Sequence, residues 1–220
     1  MTVIEFSFND DWMGEISRRL GDLNDKTPDV ISQATNSTAR KARKLIVQSL
    51  REHYAEDAKT KEYNAAMKIA RASRKKYDAT IYIRGKVQNL RRFNVSPKDP
   101  PANGSSRPPT TRAQVLLQGG LKELNKGGIK AFITTFKNGD VVVAQRNGSF
   151  YTYHRPTGGI DRHHEAIDKL WSISIPKMAE TQLDPKTVRG NMRDTIQAIL
   201  VEEIEKQIAR QLAKHGGNAG

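Results

Sequence analysis

The chain has 220 residues, 36% of them apolar and 6% aromatic, with no cysteine and a formal net charge of +13. The missing cysteine excludes disulfides, thiolate zinc sites and thiol catalysis, and so lean an apolar fraction suits a protein that completes its burial against neighbours. The charge is confined: Ala34 to Lys130 holds 22 Lys/Arg against 7 Asp/Glu, a net of +15, so the rest is near neutral, and a one-sided footprint of this kind attracts phosphate backbones or an acidic partner.

Val3, Ile4, Phe6 and Phe8 alternate with polar residues, which predicts a short first strand. No basic n-region and apolar h-region open the chain, so no signal peptide is expected, and no apolar run is long enough to span a bilayer. Asp10 and Asp11 offer a cap for a short helix carrying Trp12, Met13, Ile16 and Leu20, which Gly21 ends. Thr27-Pro28-Asp29 then reads as a capping hydroxyl, a proline at the first helical position and an acid in the first turn. The helix it starts is expected to reach about Tyr54, with Ile31, Ala34, Thr38, Ala42, Leu45 and Ile46 inward and Arg40, Lys41, Arg43, Lys44 and Arg51 outward. A further helix is expected from Lys61 to Ser73, ending in the cluster Arg71, Arg74, Lys75 and Lys76.

From Ala79 the period changes to that of a strand, Ala79 to Gly85, followed by an extended piece from Val87 to Val95. Residues 96–111 carry five prolines, the composition of a long irregular loop or arm. Ile129 to Phe136 and Val141 to Gln145 flank Asn138-Gly139, and a two-residue turn with positive φ at both positions is expected there. Asn147-Gly148 predicts a second turn before Phe150 to Tyr153, completing a three-stranded meander. A loop with Pro156 to Gly159 leads to His163-His164, then Leu170-Trp171 and Ile173 to Pro176. From Asp184-Pro185 a last helix repeats Val188, Met192, Ile196, Ile199, Leu200, Ile204, Ile208 and Leu212 down to about Lys214. About 30 residues make a rod of roughly 45 Å, so part of its stripe, Ile196, Leu200, Ile204 and Ile208, is expected to meet another subunit. The fold class expected is α+β: a small antiparallel sheet with the meander, packed by long helices. The domain expected spans 1–185, with 186–220 as the long helix and a frayed tail.

No group of residues reads as a catalytic site. His163-His164-Glu165 with Asp161 is the only local set resembling metal ligands, but neighbouring side chains diverge on any regular element, so no metal or cofactor is expected. Gly119-Gly120 and Gly127-Gly128 lack the lysine and the strand-to-helix setting of a phosphate-binding loop. Nothing reads bases: helix-turn-helix spacing, zinc fingers and aromatic RNA-binding motifs are all missing. The basic segment is therefore either a sequence-independent contact with nucleic-acid phosphates or a solvated face matched to an acidic neighbour. Its candidate residues are Arg40, Lys41, Lys44, Arg74, Lys75, Lys76, Arg91 and Arg92.

The order of elements carries a resemblance. Thr38-Ala39-Arg40 and Ala42-Arg43 precede Ile69-Ala70-Arg71-Ala72-Ser73; Leu90-Arg91-Arg92-Phe93, Ile129 to Ile133, Arg146-Asn147-Gly148 and Arg155-Pro156 follow; Ser172 to Met178 closes the series. Over roughly Val30 to Leu200 the chain resembles the minor tail protein Z family of tailed bacteriophages, also called tail completion proteins. The resemblance implies a non-enzymatic structural component of the virion tail, assembled in the host cytoplasm and acting at the head-proximal end. It implies a ring, commonly sixfold, around the DNA channel, with other tail and neck proteins as partners and no membrane. Phe93, Phe132, Arg146, Arg155 and Pro176 match as fold or interface positions, and the family brings no catalytic residues. The alternatives are a sequence-independent nucleic-acid-binding protein with a regulatory or packaging role, and a nuclease with an unrecognised site.

Overall fold

The computed structural model describes residues 1–6, 10–57, 59–101, 109–153, 162–184 and 192–216, and is α+β as expected. Contacts divide the chain into two units: Met1–Leu50, Lys59–Lys86 and Ser174–Gly220 form the first, Arg51–Ala58 and Val87–Ile173 the second. The expected boundary near residue 185 is not the one contacts draw, because the C-terminal helix packs with the N-terminal helices.

In the first unit, β1 (Thr2–Phe6) is followed by α1 (Asp10–Leu20), a 3-10 turn (Gly21–Lys26), α2 (Thr27–His53), α3 (Thr60–Ala66), β2 (Met67–Ala70), β3 (Ala79–Ile83), α4 (Ile175–Leu183) and α5 (Met192–Gly216). The three strands form an antiparallel sheet in the order β1-β3-β2, with Ile4 and Ile69 both opposite the buried Ile81. The helix expected through Ser73 stops at Ala66. Met67 to Ala70 pair with Ile83 to Thr80, and this long-range ladder overrides a weak local helical preference. The basic cluster is therefore a hairpin tip, in which Ser73 and Lys76 exchange backbone hydrogen bonds of 2.6 and 3.2 Å.

α2 begins at the expected residue and runs almost as far as expected. Thr27 Oγ1 is buried without a hydrogen-bond partner among the described residues, so it does not cap; the chain enters α2 directly from the 3-10 turn. Ala34, Thr35, Thr38, Ala39 and Ala42 are fully buried, and their small side chains let neighbours approach closely. Thr35 returns its hydroxyl to Ile31 O at 2.7 Å, and Ser49 donates to Gln182 of α4 at 2.8 Å, so these polar groups are satisfied in the core. α4 was not assigned from the sequence: Ser174 Oγ accepts from Lys177 N–H and Pro176 sits in the first turn, a cap and proline combination that starts helices.

The C-terminal stripe requires a correction. Leu200, Ile204 and Ile208 are buried with Ile16 and Leu20 of α1 and Val30, Ile31 and Ala34 of α2, and Ile196 is buried on the same stripe. The stripe is thus covered within its own chain, because α1 and α2 together supply the apolar length that one short domain was expected to lack. Ion pairs flank it: Arg19 grips Glu205 through both guanidinium nitrogens, and Lys41 Nζ lies 2.7 Å from Glu203 and 3.6 Å from Glu202. Burial pushes the Glu203 carboxyl up, but hydrogen bonds from Lys41 and Ser37 hold it on balance below its ordinary value of 4.5.

In the second unit, β4 (Val87–Asn89) leads through a 3-10 turn (Leu90–Arg92) to β5 (Asn94–Ser96), β6 (Arg112–Gln114), β7 (Lys122–Glu123), β8 (Asn125–Lys126), β9 (Ile129–Lys130), β10 (Phe132–Thr135), β11 (Val141–Tyr153), β12 (Arg162–Lys169) and β13 (Trp171–Ser174). Its small antiparallel sheets run β5-β6-β7, β8-β9, β13-β4 and β10-β11-β12, over a core of Tyr54, Leu90, Phe93, Val95, Ile133, Val142 and Val143. The last sheet is the expected meander with a different third strand. Gly139 takes φ +83° while no non-glycine residue among the described residues has positive φ, so Asn138 does not form the expected two-residue turn. Gly139 N–H bonds to Phe136 O, and the Asn138 side chain accepts from Asp140 N–H, the three-residue loop that is next commonest. Asn147-Gly148 does not reverse the chain either. It is a bulge at which Asn147, Gly148 and Ser149 face Ala166 alone while β11 continues, and β12 supplies the third strand.

Two outcomes test this packing. Ile204→Ala lowers unfolding free energy in urea by about 2–5 kcal/mol and leaves the sedimentation mass unchanged; loss of assembly without loss of stability would return the stripe to an intersubunit role. The carboxyls of Asp29, Glu203 and Glu205 all lie below their ordinary values, Asp29 and Glu205 through bidentate hydrogen bonds from Arg74 and Arg19. Their contribution is therefore complete above the ordinary values of 3.8 and 4.5 and is lost as pH falls through the depressed ones. Thermal stability is expected to hold level down to about pH 5 and then to fall; a rise on acidification would contradict these pairs.

Candidate nucleic-acid interface

The structure sorts the eight candidate cations into two kinds. Lys41 is committed to Glu203 and Glu202. Arg74 folds back from the hairpin tip onto both carboxylate oxygens of Asp29. Arg91 lies 3.7 Å from Asp99 and donates to Lys98 O at 3.4 Å, and Arg92 Nε lies 3.2 Å from the buried Glu56 Oε1. These four are structural counter-ions. Arg40, Lys44, Lys75 and Lys76 are exposed and have no ion-pair partner among the described residues.

Arg40, Lys44, Lys75 and Lys76 all belong to the first unit, and α2 organises their placement. Asn36 clamps the hairpin by donating Nδ2–H to Ala72 O at 3.0 Å and accepting Ala72 N–H at 2.9 Å. Asp29, two turns earlier on the same helix face, holds Arg74 of the tip. Arg40 and Lys44 follow Asn36 at four-residue steps, so they extend that same line about 6 Å per step. Two short-range polar anchors thus place the tip, with Arg71, Lys75 and Lys76, alongside the exposed edge of α2. Arg71 is also exposed and belongs with this group, although the sequence reading named it in the basic cluster without making it a candidate contact. Arg91 and Arg92 belong to the second unit.

Of the remaining expectations, the side chains of Asp161, His163 and His164 lie outside the described residues, as do Arg155, residues 102–108 of the proline-rich loop, and the expected start of the last helix at Pro185 and Val188. On the backbone, His163 and His164 are successive residues of β12, opposite Thr152 and Tyr151. Among the described residues no three His, Cys, Asp or Glu are grouped to hold a metal, and no helix is long and apolar enough to cross a membrane. Phe93 is buried, Pro176 is buried at the start of α4, and Arg146 lies 5.7 Å from the Phe132 ring centroid while pairing with Glu165 at 3.3 Å.

A second surface was not foreseen. Beyond Ala144, β11 loses β10 and continues with β12 as a two-stranded ribbon. Phe150 is 69% exposed opposite Glu165, and exposed Ile167 sits opposite Arg146 on the same face. Trp171, 54% exposed, carries Lys169 Nζ at 4.6 Å from its ring centroid. An aromatic and aliphatic face rimmed by charge is the composition of a contact surface. The sequence signal was the retained aromatic at Phe150 beside a bulge motif, misread as the start of a strand after a turn.

Searches of curated proteins and of solved structures return no match. Residues 15–215 match the family described as Prophage minor tail protein Z, which spans both units and nearly the whole chain. The chain therefore belongs to the prophage minor tail protein Z family.

Proposed function

We propose that this minor tail protein completes the head-proximal end of a phage tail, as a subunit of a closed, sixfold ring around the channel through which DNA passes. Membership of a minor tail protein family makes it a structural component of the tail and implies a non-enzymatic role; the ring, its position and its DNA-facing wall are the further steps. The observation that carries them is a set of exposed apolar side chains in the second unit, Phe150 and Ile167 on one face of the β11–β12 ribbon and Trp171 on β13. A lone soluble domain gains nothing by presenting two aromatics to water, whereas a subunit interface is built from such anchors. In this reading the face meets a second copy of the chain. A contact of that kind is heterologous, joining the ribbon of one copy to a different surface of the next, and closes into a ring when the rotation allows.

The basic surface of the first unit supports the same reading from another side. A channel wall needs positive charge without base-specific grip, since strong sequence-selective contacts would hold a moving genome in place. The alternative of a free regulatory or packaging protein is favoured by no separate observation, because no helix or ribbon among the described residues is set up to read base edges.

Two measurements test the proposal. Purified tails from a host carrying a tagged copy are expected to contain the protein in a small fixed number per particle, at one end only; a protein found free in the lysate and missing from tails would refute the assignment. In solution, Phe150→Glu with Trp171→Glu is expected to lower self-association at least tenfold while leaving the thermal transition intact. Unchanged assembly of this double variant would remove the aromatic face from the interface.

A further inference from the structure

We propose that the strip formed by Arg40 and Lys44 of α2 with Arg71, Lys75 and Lys76 at the β2–β3 tip binds the phosphate backbone of duplex nucleic acid. It deepens the tail reading, on which it rests for the presence of a duplex genome, by naming the site and its chemistry.

The argument begins with what remains unneutralised. Three carboxylates beside this surface are already used: Asp29 is held by Arg74, and Glu202 and Glu203 by Lys41. The five remaining cations are exposed, with no ion-pair partner among the described residues. They are also fixed in place rather than scattered. Asn36 and Asp29 pin the tip to α2 at points two helical turns apart, so the cations on the tip and on the helix keep their spacing. Five long side chains of one sign at a set distance repel one another, and a polyanion relieves that repulsion.

The surroundings decide which polyanion. A protein partner needs an apolar centre to its contact, yet none of the large apolar side chains exposed among the described residues lies within 36–44 or 71–76. Ala72 is buried, and the one aromatic nearby, Tyr77, packs against the helical core. Single-stranded nucleic acid is held by stacking its bases on exposed aromatics, and the strip offers none. Lysine and arginine without apolar or aromatic anchors suit a surface of regularly spaced phosphates, where binding comes from counter-ion release and carries no sequence information.

The test is a salt titration of the full chain on a labelled duplex of mixed sequence. Wild-type affinity is expected to fall with a log–log slope of about −4, the value for four to five phosphates neutralised, and to be the same for an unrelated duplex. The variant Lys75→Gln with Lys76→Gln, confined to an exposed turn, is expected to reduce the slope by about 2 units. Replacing all five cations with glutamine is expected to weaken binding at least tenfold at low salt, whereas Arg91→Gln leaves the slope unchanged. Equal slopes for the tip variant and the wild type, or a larger loss from Arg91→Gln, would overturn the assignment. So would tighter binding to polyglutamate than to duplex, which would make the strip a site for an acidic protein. Incorporation of the five-fold variant into tails separates the two proposals: a variant that enters tails but does not bind duplex leaves the tail role standing and locates the defect in the strip.

Discussion

The first unit depends on one packing arrangement, in which the α5 stripe of Leu200, Ile204 and Ile208 lies against Ile16, Leu20, Val30, Ile31 and Ala34. Burying that stripe inside the chain settles which surfaces are left for anything else. One face of α2 is consumed by α1 and α5, and the row from Asp29 through Asn36 to Arg40 and Lys44 remains to receive the β2–β3 tip. The acidic side of α5 is consumed as well, since Glu202 and Glu203 meet Lys41 and Glu205 meets Arg19. What a composition count presents as a single basic stretch becomes, after folding, a set of cations held in ion pairs and a set without an ion-pair partner among the described residues.

That division matters because the two sets obey different physics. A cation held by a carboxylate adds little to a long-range field and serves to fix geometry: Arg74 is worth more as an anchor for its turn than as a phosphate ligand. A free cation beside others of its sign raises the local potential and gives up its counter-ions when a polyanion arrives. The same logic assigns Arg92, 3.2 Å from the carboxylate of buried Glu56, to the stability of the second unit.

Much of the fold was legible from the residues. α1 and α2 follow their apolar spacing almost to the residue, the meander was foreseen, and the period of α5 was read correctly. The failures share a cause, which is that local signals do not know their long-range partners. Met67 to Ala70 looks helical until β3 offers a ladder; Asn147-Gly148 looks like a turn until β12 pairs across it and makes it a bulge; the α5 stripe looks like an interface until α1 and α2 cover it. Of the basic residues, sequence spacing located the group but could not say which members were neutralised, because Asp29 and Glu203 are distant in sequence from the cations they hold. Phe150 was missed because its exposure is a property of how far β10 extends, not of the residue itself.

The central claim is that one surface of this minor tail protein, the α2 edge with its pinned hairpin tip, faces DNA while an aromatic sheet face meets the next copy. Electron cryomicroscopy of intact tails with the genome retained tests it most directly. The account predicts a ring at the head-proximal end, with Arg40, Lys44, Lys75 and Lys76 on the luminal wall and Phe150 and Trp171 buried between copies. A ring elsewhere on the tail, or the same cations packed against protein with Phe150 and Trp171 open to solvent, would contradict it.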